Sequence, residues 1–233
     1  MRTVAIVPAA GSGKRLGHRG DKPFVFLAGK PLISYALSRL DSSDDIDEIV
    51  IAVRKKNIRR LENLIKRFKF KKISDVVEGG ATRFESVRNC LDRINKKFDI
   101  VLVHDAARPF LENSIIKDSI RFAFQFGACV VAVPETDTLK SVDKNLFVRR
   151  TIDRNEIFHA ETPQVFRFGL IKKAYAIKID KGGITDDASL VEILGKRVKI
   201  LRGAYRNIKV TTKDDLRLAE YYLKTRGTGY GIQ

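Results

Sequence analysis

From residue 3 to residue 135 the chain alternates short, continuously apolar runs with stretches of helical periodicity. TVAIVPA (3–9) reads as a strand. PLISYALSRL follows, with Leu32, Ile33, Tyr35, Ala36 and Leu40 on one helical face. IDEIVIAVR (46–54) is a second strand, residues 55–68 are a helix, and SDVVEGG (74–80) is a short strand. In TRFESVRNCLDRINK (82–96), Phe84, Val87, Leu91 and Ile94 recur at helical spacing. FDIVLVHDA (98–106) is an apolar strand that ends in polar chemistry. NSIIKDSIRFAFQFG (113–127) is a helix closed by Gly127, and ACVVAVPE (128–135) is fully apolar. Strands without polar alternation are buried on both faces. The pattern therefore predicts an α/β, Rossmann-like, mostly parallel sheet flanked by helices.

Beyond residue 134 polar and apolar residues alternate over short distances, with DKN (143–145) as a turn. This predicts a β-hairpin arm projecting from the sheet within residues 136–162, and a return strand near 162–166. A helix over 168–179 follows, then a loop entering a helix with Thr185 or Asp186 as N-cap. RVKILRG (197–203) and NIKVTT (207–212) read as strands, and TKDDLRLAEYYLK (212–224) as a closing helix capped by Thr212. RGTGYGIQ reads as a frayed tail. No repeat or linker divides residues 1–233, which predicts one domain.

Composition narrows the class. With 44% hydrophobic and 9% aromatic residues the chain is globular rather than disordered. No apolar run has the length of a membrane span, and VAIVPAA is too short for a signal peptide, so a cytoplasmic protein without membrane association is expected. Cys90 and Cys129 sit in apolar runs and read as reduced core residues. The formal charge of +17 favours anionic partners: nucleic acid, or phosphorylated small molecules. Many of the cations fall in residues 54–72, where they read as a solvated helix face. Neither zinc-finger spacing nor an aromatic-interleaved RNA motif occurs, which ranks a basic nucleic-acid-binding protein low.

In open α/β sheets, ligands bind beyond the carboxyl ends of strands. The first strand ends at Val7–Pro8, so AAGSGKRLG lies where a ligand would. Ala9, Ala10, Gly11, Ser12 and Gly13 leave consecutive backbone N–H groups uncovered, an anion-binding arrangement. Lys14, Arg15 and the later Lys22 can add charge. The GxxxxGK[ST] and GxGxxG patterns are both unmet. Alone, the loop suits a triphosphate cradle and a tight turn with a solvated basic edge equally well.

Further motifs occur in order: DKPFVFLAGKPLI, VHDAARPF, DTLK, DRNEIFHAETPQVF, TDDASLVE and NIKVTTKDDLRLAE. Together, over residues 4 to about 223, they resemble the 2-C-methyl-D-erythritol 4-phosphate cytidylyltransferase family of the non-mevalonate isoprenoid pathway. The resemblance implies transfer of a cytidylyl group from CTP, with Mg²⁺, to methylerythritol phosphate. It implies catalytic roles for Arg15, Lys22 and Lys209, and nucleotide contacts from residues 9–13 and from Gly80, Ala81, Ser86 and Asp105. Asp105 would also be the acid near the metal. Acceptor contacts would come from Arg108, Thr138, Arg154, Thr185 and Asp186. The arm would clasp a second copy in a homodimer, carrying Thr138 and Arg154 to the neighbour's site. Ser86 also suits a bond to its own helical turn, Arg154 a surface ion pair, and Thr185 or Asp186 a cap. His104 reads as a packed core histidine, and Thr162 as structural. A ribitol 5-phosphate cytidylyltransferase of the same fold is the alternative.

Overall fold

The computed structural model describes residues 1–11, 13, 21–94, 98–177 and 184–225. Its strands are β1 (Thr3–Pro8), β2 (Phe26–Leu27), β3 (Lys30–Pro31), β4 (Glu48–Val53), β5 (Ile73–Glu78), β6 (Ile100–Val103), β7 (Ala128–Pro134), β8 (Leu139–Val142), β9 (Val148–Ile152), β10 (Phe158–Arg167) and β11 (Lys199–Arg202). Its helices are α1 (Leu32–Ser42), α2 (Ile58–Phe68), α3 (Arg83–Arg93), α4 (Asn113–Phe126), α5 (Phe168–Tyr175), α6 (Asp187–Ile193) and α7 (Lys213–Thr225). Seven strands form one sheet in the order β11-β7-β10-β6-β1-β4-β5. All neighbours are parallel except β10, which runs antiparallel to both β6 and β7.

The apolar strands are buried from both sides, as their lack of alternation requires. Ala5, Val7, Ile49, Ile51, Val53, Ile100 and Leu102 face α1, α2 and α4. Val4, Ile6, Val50, Ala52, Val101 and Val103 face α3, α5 and α6. Each fully buried Ile, Leu or Val stabilises the fold by about 1.5–3 kcal/mol relative to exposure. A third cluster joins Val25, Leu27, Leu32, Phe110 and Val210 to α7.

β8 and β9 pair with each other alone, as the projecting hairpin. Among the described residues, no helix is long and apolar enough to cross a membrane. Cys90 and Cys129 are buried free thiols.

Three expectations need correction. NIKVTT is not a strand: Val210 N–H bonds the carbonyl of Ala107 at 2.9 Å, but no ladder forms. Its apolar residues are drawn into the cluster under α7 instead of a sheet. The return strand begins at Phe158, because it pairs with β7 from Pro134 downward before it reaches β6. α5 ends at Tyr175, where the backbone N–H of Ala176 bonds back to Lys172 and Lys173; residues 178 and 179 of the expected helix lie outside the described residues.

Candidate active site

A cleft of about 600 Å³ opens over the carboxyl ends of β1, β4 and β6. Its floor is backbone with small side chains, but not all of its N–H groups are open as the sequence suggested: Ala9 is buried and its N–H bonds the Ala52 carbonyl at 2.7 Å, an extension of the β1–β4 ladder. Ala9, Ala10, Gly11 and Gly13 line it from β1, and Gly80 and Ala81 face them from the β5–α3 connection. The two segments approach closely at Gly79, where a Cβ would stand 2.5 Å from that of Ala10, and Gly80 packs against the first turn of its own helix, where a Cβ would stand 2.2 Å from Cβ of Glu85. Glycine is required at both positions for the backbone to come this near.

TRFE (82–85) explains how α3 starts there. Thr82 Oγ1 accepts the Glu85 N–H at 3.1 Å, and the Glu85 carboxylate accepts the Ala81 N–H at 2.8 Å. This variant of a capping box contributes about 1 kcal/mol at the cap and fixes the helix end over the cleft. Ser86 lines the cleft while its hydroxyl donates to the Thr82 carbonyl at 2.9 Å.

Lys22 and Lys209 also line the cleft, with Asp105, Ala106 and Ala107 from the end of β6. Asp105 is almost fully buried. Its Oδ2 stands 2.6 Å from Lys209 Nζ, and its Oδ1 3.1 Å from Arg83 Nε. Burial raises the Asp105 pKa, but Arg83, Lys209 and Arg108 outweigh it and hold the carboxyl far below the usual carboxylate range. Lys209 reaches Asp105 although its segment is no strand. Ile208 and Val210 on either side of it pack into the cluster under α7, while Lys209 is exposed toward the cleft.

Arg83 carried no local sign of importance. Its guanidinium forms a two-toothed pair with Asp187, at 2.9 and 2.7 Å, while Nε holds Asp105. Asp187 has no exposed surface and also accepts the Tyr175 hydroxyl. Desolvation disfavours the charged guanidinium, yet the charges of Asp187 and Asp105 lift its pKa well above the usual arginine value.

The expected acceptor residues lie apart from this cleft. Thr185 and Asp186 line a separate cavity of about 110 Å³ beyond Arg83. Asp186 caps α6, accepting the Ser189 N–H at 3.0 Å, and a second oxygen accepts Gln164 Nε2 at 2.8 Å. Arg108 is buried away from the cleft. It donates to the Asn207 carbonyl and pairs with Glu161 at 3.5 Å. Thr138 and Arg154 are exposed on the arm, where Arg154 donates to the carbonyl of Thr136 and makes no ion pair with Asp153 or Glu156. Ser12, Lys14 and Arg15 lie outside the described residues. His104 is fully buried, and its Nδ1 meets the Thr162 hydroxyl, which also accepts the Asp105 N–H.

Among the described residues, no group of three or more His, Cys, Asp or Glu could hold a metal. Asp105 is a lone carboxylate with both oxygens occupied by cations. Such a donor set fits a Mg²⁺ carried mostly by substrate phosphates and does not fit an ion caged by protein.

A mostly parallel sheet with small-residue backbone and two lysines gathered over its central strand ends has the arrangement of a nucleotidyltransferase-type domain. The sequence profile of 2-C-methyl-D-erythritol 4-phosphate cytidylyltransferase matches residues 3–225. The chain is 42% identical over 224 residues to the protein of that name from Clostridium tetani, covering 96% of this chain and 91% of that one. It superposes on 4-diphosphocytidyl-2C-methyl-D-erythritol synthase from Anaerococcus prevotii with a TM-score of 0.84 at 30% identity, covering 96% of both chains. The Thermus thermophilus 2-C-methyl-D-erythritol 4-phosphate cytidylyltransferase gives a TM-score of 0.79 at 30% identity, over 96% of this chain and 100% of that one. The chain belongs to the 2-C-methyl-D-erythritol 4-phosphate cytidylyltransferase family, and is a cytidylyltransferase.

Proposed function

We propose that the chain transfers the cytidylyl group of CTP to 2-C-methyl-D-erythritol 4-phosphate, releasing pyrophosphate. The observation that carries this reading is the placement of Lys22, Lys209 and Asp105 with small-residue backbone around one cleft. A phosphate oxygen of the acceptor bonds to the α-phosphorus, the bond from that phosphorus to the bridging oxygen breaks, and pyrophosphate leaves with the electron pair. A phosphate monoester is already nucleophilic near neutral pH, so no general base is needed. The obstacle is repulsion between two anions and the charge that builds on the leaving group. Preorganised cations and N–H groups lower that barrier.

Lys22, with Arg15, serves the α-phosphate and the departing pyrophosphate. Lys209 serves the transferring phosphate, and Asp105 holds it at the cleft. Backbone of residues 9–13, with Gly80, Ala81 and Ser86, receives the nucleotide. Mg²⁺ borne by the triphosphate would be held by Asp105 and would screen phosphate charge.

Acceptor recognition involves Arg108, Thr185 and Asp186, together with Thr138 and Arg154 from the arm of a second copy. The exposed apolar residues of the arm, Val142, Leu146, Phe147 and Val148, support such a clasp, because a lone hairpin gains nothing by displaying them. Two buried free thiols accord with a reducing, cytoplasmic setting.

The test is pyrophosphate release from CTP with each acceptor in turn. Methylerythritol phosphate should be turned over, and turnover with ribitol 5-phosphate alone would overturn the assignment.

A further inference from the structure

The charge-rich run that begins at Arg54 is not solvated throughout. Its first residues converge on one buried carboxylate, Asp21, the neighbour of Lys22. Arg54 Nη1 stands 2.8 Å from Asp21 Oδ1. Lys56 Nζ stands 3.0 Å and Asn57 Nδ2 2.7 Å from Oδ2. Desolvation raises the Asp21 pKa, but the Asn57 bond and the Lys56 and Arg54 charges overcome it and leave the carboxyl below its ordinary value. Asp21 sits at the N-cap of the short 3₁₀ turn Lys22–Phe24, yet its side chain makes no capping bond there. The carboxylate is committed sideways, to the connection after β4.

The same guanidinium has a second hold. Arg54 Nε donates to the carbonyl of Ala10 at 2.9 Å. One side chain thus ties the outgoing end of β1 to the turn that carries Lys22. Other contacts brace that turn. A Cβ on Gly13 would meet the Lys22 backbone nitrogen at 3.0 Å and Cα at 3.2 Å, Pro23 and Phe24 are buried, and Arg60 stacks 4.5 Å over the Phe24 ring. Ala10, Lys22 and Arg54 all line the cleft.

We propose that Arg54 is a positioning residue, which through Ala10 and Asp21 sets the spacing between the nucleotide-facing backbone of β1 and the lysine that meets the phosphates. This rests on the reading of the cleft as the CTP site. A planar guanidinium can direct two donors at two fixed acceptors, whereas an ammonium concentrates its charge at one point. Asp21 separates this role from simple electrostatics. A carboxylate near a triphosphate repels it, so field effects alone make Asp21→Asn bind CTP more tightly. Loss of the clasp makes it bind more weakly.

The experiment measures CTP affinity by calorimetry, and kcat and KM for each substrate, in the full-length protein and in Asp21→Asn, Arg54→Lys and the double variant. Thermal melts check folding. Both single variants are expected to lose CTP affinity about tenfold, equivalent to about 1.4 kcal/mol. The acceptor KM should stay within about twofold, and the double variant should bind no worse than the weaker single one, as groups acting through one contact do. CTP binding by Asp21→Asn that equals or exceeds wild type overturns the clasp. So does Arg54→Lys with unchanged affinity, which keeps the proposal exposed if Asp21→Asn does not fold. Wild-type protein that binds no CTP overturns the reading of the cleft itself, and the positioning role with it.

Discussion

His104 should make this fold sensitive to mild acid, and one substitution should remove that sensitivity. The ring is fully buried, with Nε2 3.1 Å from the Arg108 carbonyl and Nδ1 3.1 Å from the Thr162 hydroxyl. Thr162 Oγ1 already accepts the Asp105 N–H, so its own proton points at Nδ1, and Nε2–H points at the carbonyl. This is a neutral imidazole with both nitrogens satisfied. Burial, helped by the charges of Arg108 and Arg83, pushes its pKa from 6.5 down to about 4. Between those values the unfolded chain binds a proton that the folded chain refuses. The stabilisation is therefore fully present above about pH 6.5, is lost as pH falls toward about 4, and changes no further below that. At about 1.36 kcal/mol per pH unit the whole window amounts to about 3 kcal/mol, of which about 2 kcal/mol is lost between pH 7 and pH 5. With a urea slope of about 2–3 kcal/mol per molar, the unfolding midpoint should drop by about 0.7–1 M. The assay is urea unfolding followed by circular dichroism at pH 7 and pH 5, in EDTA, for wild type and His104→Gln. Glu161 works in the opposite sense, because burial raises its pKa, but it does so in both proteins, and the difference between them isolates the imidazole. Equal drops in the two proteins would refute the argument.

Three further outcomes follow from the site. Lys22→Ala and Lys209→Ala should each lower kcat by about 10²–10³ with melting temperature preserved, and near-normal turnover at saturating CTP would remove that residue from the chemistry. Asp187→Asn should cost about 3 kcal/mol of stability, since it strips Arg83 of its two-toothed partner while burying the remainder, and a urea midpoint within error of wild type would contradict this. On the proposed dimer with shared arms, mixing Arg154→Ala with Lys22→Ala subunits should restore about a quarter of wild-type activity, because half of randomly exchanged dimers would be mixed and each would carry one intact site; no recovery would argue against a shared arm.

What was legible in the chain was whatever depends on neighbours in sequence. Continuous apolar runs marked the sheet, and the polar break after Val103 marked Asp105 at a strand end. The place of Ala9–Gly11 at the cleft was readable because strand, glycine and cation follow one another directly, but the pairing of the Ala9 N–H with Ala52 was not. Pairings across long stretches of chain were not readable. Arg83 and Asp187 are 104 residues apart, and nothing in GGATRFESV distinguishes that arginine from its solvated neighbours. In TDD, Asp186 and Asp187 look equivalent; the fold gives the first to helix capping and the second to Arg83. Arg54 was hidden for a related reason, since a run of cations gives no hint of which members turn inward. NIKVTT misled because its alternation is real while its partner is helix α7 and the loop at Ala107, not a strand.

The reversed strand β10 also dictates an order of assembly. Among the described residues β7 does not pair with β6; β10 lies between them and joins the β11-β7 pair to the rest. During synthesis β1, β4, β5 and β6 can close their parallel ladder as soon as residue 103 has emerged. β7 then leaves the ribosome as a wholly apolar strand with no sheet to join, and remains so until the arm and residues 158–167 have followed. An open apolar strand is a template for aggregation. A chain that stalls between residues 134 and 158 therefore holds β7 without the strand that ties it to the sheet.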